Sequence, residues 1–97
     1  MKRDVALSTL RAHEAELKTL GVERLYLFGS VARNEARTDS DVDLFFDFHD
    51  PKFSLIELIG LQNRLGDLLR TTADVMTRGS LHPVLRADIE QSAVQVF

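Results

Sequence analysis

The chain has 97 residues, 44% hydrophobic and 28% charged, with no cysteine and a formal net charge of −3 from 12 Lys+Arg and 15 Asp+Glu. That length suits one hydrophobic core and predicts a single domain over residues 1–97, while the missing cysteine excludes disulfides and thiolate metal sites. The acidic balance disfavours a long grip on nucleic acid, which needs a basic surface. No apolar run is long enough to span a bilayer, and the charged start Met1-Lys2-Arg3-Asp4 lacks the apolar stretch of a signal peptide, so a cytoplasmic setting without membrane contact is expected.

Taken in chain order, residues 3–20 place Leu10, Leu17 and Leu20 at helical spacing, and Gly21 stops the helix. Residues 22–28 (VERLYLF) alternate and read as a strand that ends at Gly29-Ser30, with a short helix expected over 31–36. Asp39-Ser40 reads as a turn. Val42, Leu44, Phe46 and Phe48 then mark the apolar face of a second strand. After Pro51, Ser54 and Glu57 form a capping-box pattern that opens a helix running to Leu69. Residues 71–77 (TTADVMT) form a third strand, His82-Pro83 starts another helix, and 93–97 forms a last short strand. The fold class is therefore α/β of the α+β kind, a small mixed sheet packed with helices.

Chemistry concentrates in residues 27–47, LFGSVARNEARTDSDVDLFFD. Gly29 lets the backbone approach a phosphate closely, and free N–H groups with the Ser30 hydroxyl can donate to its oxygens, although Gly-Ser is also a common plain turn. Asp41 and Asp43, one residue apart on a strand, share a face and can converge on a hard cation, which takes oxygen ligands. A solvated strand face is the simpler alternative, but aspartates are poor strand formers and repel one another unless something neutralises them. Asp74 is a third aspartate inside a strand. If that strand neighbours the one carrying Asp43, three carboxylates meet beside the Gly-Ser turn, as a two-metal site requires.

Gly29-Ser30, ten residues, then Asp41-Val42-Asp43 resembles the signature of the DNA polymerase beta-like nucleotidyltransferase superfamily. The wider match over 29–44, GSVARNEARTDSDVDL, resembles its minimal nucleotidyltransferase branch, including Arg33, Glu35, Ser40 and Leu44. The resemblance implies a polymerase beta-type core, with Gly29 and Ser30 binding the triphosphate of an NTP. It implies that Asp41 and Asp43 hold two Mg²⁺ ions, and that Asp74 is a third carboxylate that binds metal and helps activate the incoming hydroxyl. Arg33 either reaches a phosphate or braces the loop through Glu35 or an aspartate. Asn34 stands where a glycine is common, and asparagine tolerates the left-handed backbone that such a turn needs. Asp47, on the same strand face as Asp43, reads as a solvated edge residue. His13, His49 and His82 lack ligand spacing.

The implied activity is Mg-dependent transfer of NMP, AMP from ATP, to a hydroxyl with release of pyrophosphate. The minimal branch further implies a protein acceptor, a tyrosine of a HEPN-domain ribonuclease toxin, which makes the chain an antitoxin of a toxin–antitoxin pair. Two alternatives remain at this point: a non-catalytic antitoxin that occludes its toxin, and transfer to a small molecule or RNA end with a partner subunit. The helix over 54–69 carries Leu55, Ile56, Leu58, Ile59, Leu61, Leu65, Leu68 and Leu69, more than one core-facing stripe needs. Deep burial is the simpler expectation, and a partner-binding surface the alternative.

Overall fold

The structure, a computed structural model, describes residues 1–37 and 40–97. Strands β1 (Val22–Phe28), β2 (Val42–Phe48), β3 (Ala73–Thr77) and β4 (Val94–Gln95) form one sheet in the order β3-β2-β1-β4. β1 runs antiparallel to β2 and β4, whereas β2 and β3 are parallel, as their connection through a helix allows. Helices α1 (Arg3–Ala12), α2 (Glu14–Thr19), α3 (Gly29–Ala32), α4 (Leu55–Leu69) and α5 (Arg86–Ser92) complete the expected mixed α+β fold.

Strand alternation sorts the sheet into two faces. Leu25, Leu27, Val42, Leu44, Phe46, Ala73 and Val75 pack with Leu10 of α1, Leu17 of α2 and Leu61, Leu65 and Leu69 of α4 into one core. The far face carries Tyr26, Phe28, Asp43, Phe45, Asp47, Asp74 and Met76, the positions between them. There the rings of Tyr26 and Phe45, cross-strand partners, stack 4.7 Å apart.

Several boundaries differ from the sequence expectation for identifiable reasons. The first helix is two, broken at His13, whose backbone leaves the helical region at φ −110°, ψ 20° and whose ring Nδ1 lies 2.8 Å from the Thr9 carbonyl oxygen. Gly21 ends the pair with φ +109°. The short helix starts at Gly29 and stops early because Asn34 takes the left-handed conformation at φ 58°. His82-Pro83 lies in a turn, not at a helix start. The His82 ring nitrogen accepts from Val84 N–H and its carbonyl from Leu85 N–H, so α5 begins only at Arg86. The capping box of α4 closes, with Ser54 N–H donating to the Glu57 carboxylate. The turn expected at Asp39-Ser40 includes Asp39, which lies outside the described residues.

Deep burial of α4 is not what the structure shows. Leu61, Leu65 and Leu69 are buried, but Leu55, Ile56 and Ile59 are 70%, 82% and 53% exposed. Only the stripe facing β3 and α1, which carries Leu61, Leu65 and Leu69, enters the core.

Candidate active site

β1 delivers the chain to Gly29, where the backbone turns at φ +75° into α3. Two facts fix glycine there. The left-handed conformation disfavours any side chain, and a Cβ would stand 2.3 Å from an Asp43 carboxylate oxygen. The close approach expected of this glycine is thus, among protein atoms, an approach to Asp43. The turn is closed by Glu35 N–H donating to the Ser30 carbonyl at 2.8 Å. Arg33 pairs with Glu35 at 3.1 Å with both side chains mostly exposed, so the loop-bracing contact considered for Arg33 is present. The Ser30 hydroxyl makes no hydrogen bond among the described residues.

Asp43 lies within β2, and Asp41 immediately precedes it; the shared strand expected for the two extends only to Asp43. The start of β2 is tied to β3 by Val42 N–H donating to the Thr72 carbonyl at 3.0 Å. The resulting parallel register sets Asp43 directly beside Asp74, with Phe28 on its other flank. Burial pushes the Asp43 carboxyl above the usual aspartate range, and the negative charges of Asp74 and Asp41 add to this while Arg33 opposes it. Among the described residues, Asp41, Asp43 and Asp74 have no cationic partner. The sequence-derived set Gly29, Ser30, Arg33, Asp41, Asp43 and Asp74 therefore gathers at one corner, where β1 ends and β2 and β3 begin.

These oxygen donors suit a hard dication. Among the described residues no group of three or more His, Asp or Glu is gathered so that it could hold a metal ion; the register pairs Asp43 with Asp74, and the three-carboxylate cluster expected with Asp41 is not formed among them.

The pattern of the nucleotidyltransferase domain family matches residues 10–96. The chain belongs to that family. This nucleotidyltransferase is 40% identical over 89 residues, 90% of each chain, to a protein from Methanocaldococcus jannaschii named as a candidate protein adenylyltransferase. It is also 37% identical over 90 residues, 92% of this chain and 90% of the other, to protein adenylyltransferase MntA of Thermococcus cleftensis. A solved structure described as a candidate minimal nucleotidyltransferase superposes with a TM-score of 0.82 at 32% identity, covering 97% of this chain and 95% of that one. A toxin–antitoxin crystal structure with AMP-PNP shares the fold at a TM-score of 0.69 and 22% identity, over 87% of this chain and 72% of that one.

Sequence reasoning missed one cluster on the far face of this nucleotidyltransferase. Asp47 is not a solvated edge residue: it is a bidentate partner of Arg78, at 2.8 and 3.0 Å, and Arg78 also bonds Glu90 of α5. The Arg78 guanidinium lies 4.8 Å from the Tyr26 ring centre and 5.1 Å from that of Phe45, and its carboxylate partners hold its pKa well above the usual arginine value. The only sequence signal was an arginine at the end of β3, on the face shared by Asp74 and Met76, and it becomes legible only once β3 is known to lie beside β2.

Proposed function

We propose that this nucleotidyltransferase is a protein adenylyltransferase that moves AMP from ATP to a tyrosine hydroxyl of a HEPN-type ribonuclease toxin and so acts as its antitoxin. The observation that carries the reading is the register that pairs Asp43 with Asp74 beside Gly29, two carboxylates that form no salt bridge among the described residues. The name of the Thermococcus relative, at 37% identity across nearly the whole chain, supports the choice of protein as acceptor.

In this reading Gly29 and Ser30 bind the triphosphate through backbone N–H and hydroxyl donors. Arg33 leaves its exposed pair with Glu35 at little cost to contact a phosphate. Asp41 and Asp43 would hold two Mg²⁺ ions, with Asp74 reaching one of them; when bound, such ions neutralise the triphosphate and stabilise the attacking and leaving oxygens. Asp74 orients the acceptor hydroxyl and takes up its proton. The hydroxyl oxygen bonds to the α-phosphorus as the bond to the bridging oxygen breaks, and pyrophosphate departs with both electrons of that bond. Positioning and charge supply most of the rate, with no covalent intermediate on the protein.

The exposed Leu55, Ile56 and Ile59 give α4 an apolar surface for the partner. That surface also favours the second reading, an antitoxin that only occludes. Intact-mass measurement after incubation with Mg²⁺, each NTP and the co-expressed partner separates the two. A partner heavier by one AMP is expected, and tight binding with no mass change would sink the transferase reading.

A further inference from the structure

The two edges of the sheet are finished differently. At the β4 edge, Arg11 of α1 reaches across and donates to the backbone carbonyls of Gln95 and Val96, at 3.1 and 2.8 Å. That side chain occupies acceptors which another strand would need. At the other edge stands β3, ADVMT, with neither lysine nor proline to discourage pairing.

The register shows which groups β3 leaves free. Thr72 O accepts from Val42 N–H, and alternate residues of a parallel ladder face the same neighbour, so Thr72, Asp74 and Met76 bond toward β2. The N–H and C=O groups of Ala73 and Val75 and the N–H of Thr77 then point outward, and no hydrogen bond to them is found among the described residues, whereas the Thr77 carbonyl opens the 3-10 turn over Arg78–Ser80. Unpaired backbone groups require solvent or a partner. Alongside the start of this edge runs a cavity of about 320 Å³ between α4 and β3, lined by Gln62, Asn63, Asp67, Thr71 and Thr72 among others. Asp67 has no salt bridge among the described residues, like Asp41 and Asp74 nearby, so the corner is acidic.

We infer that the outer edge of β3 is the acceptor-docking surface, taking a basic, extended segment of the acceptor protein as a fifth strand. Added there, a segment residue opposite Asp74 projects on the sheet face that carries Asp43 and Asp74, so strand pairing itself delivers the hydroxyl to the carboxylates. Backbone hydrogen bonds supply affinity, and basic side chains at the ends of the segment meet Asp67 and its acidic surroundings. This inference rests on the protein-adenylyltransferase reading.

Thr77 allows a clean test. Its φ of −77° suits proline, and its N–H lies on the outer edge, so Thr77→Pro removes an outward donor without breaking the β2 ladder. Thr77→Val keeps the donor. The probe is a blocked peptide alternating threonine and valine about a central tyrosine, with lysine at both ends, incubated with ATP and Mg²⁺ and read by mass. The expected result is a peptide KM at least tenfold higher in Thr77→Pro and unchanged in Thr77→Val, with the ATP KM constant throughout. N-acetyl-tyrosinamide, too short to pair, should be a much poorer acceptor and equally poor for all three proteins. A peptide KM unmoved by Thr77→Pro, or tyrosinamide as good an acceptor as the peptide, overturns edge docking while tyrosine transfer stands. No transfer to either acceptor overturns the transferase reading and the inference with it. Should Thr77→Pro fail to fold, methylating alternate backbone nitrogens of the peptide applies the same test from the other strand, with equal transfer refuting it.

Discussion

Asp43→Asn should make the protein more stable in the absence of divalent metal while abolishing nucleotidyl transfer. Asp43 and Asp74 are direct partners across a parallel pair, so their carboxylates stand on the order of 5.5 Å apart. Both face solvent in part, and with an effective dielectric of about 60 their repulsion comes to about 1 kcal/mol. Removing one charge relieves that amount, and for a domain of this size 1 kcal/mol moves the melting temperature by roughly 4–8 °C. The pH dependence has a definite sign. The folded protein binds the Asp43 proton more tightly than the unfolded chain does, so the parent loses stability as pH rises from the ordinary aspartate value through the raised folded one. The advantage of the asparagine variant is therefore absent at pH values below that window and complete above it. Thermal melts with a chelator at neutral pH should show the variant melting higher, and added Mg²⁺ should narrow or reverse the gap because only the parent gains a bound ion. A variant that melts at or below the parent in chelator would refute the electrostatic reasoning, whatever its activity.

Gly29→Ala should cost more than about 1 kcal/mol, because it strains a left-handed residue and drives a methyl into the Asp43 carboxylate; transfer should fall at least tenfold alongside a lower melting temperature. Arg78→Met should destabilise by about 1–2 kcal/mol in a denaturant titration, since it leaves the half-buried Asp47 and Glu90 without their cation. Arg33→Ala should change stability by less than about 0.5 kcal/mol, its pair with Glu35 being exposed, yet raise the KM for ATP several-fold in the transfer assay. Ile56→Ser, at a position 82% exposed, should leave the melt within about 0.5 kcal/mol of the parent and weaken binding to the co-expressed partner measured by calorimetry.

The features legible in the sequence are those that local chemistry fixes. Alternation in VERLYLF and VDLFFDF, the Ser54–Glu57 box and the Gly29 turn each depend on residues within a few positions of one another, and the structure places them where that chemistry requires. Asn34 in the left-handed region belongs with them. Short-range competition produced the errors at His13 and His82, where a side chain or carbonyl takes up a nearby backbone group and ends or delays a helix that propensity alone would continue.

By itself the sequence determined the nucleotidyltransferase family, through Gly29-Ser30 and Asp41-Val42-Asp43, because a glycine-bounded turn and a carboxylate pair are set by spacing along one chain segment. Asp74 was different. Its distance from Asp43 depends on which strands pair, in which direction and at which register, and a slip of one residue would turn its carboxylate to the helix face. Tertiary structure alone decided that it stands beside Asp43, that Asp47 meets Arg78, and that Leu55, Ile56 and Ile59 of α4 remain in solvent. Each of these is a contact between segments remote in sequence, or the absence of one, and no local periodicity encodes it.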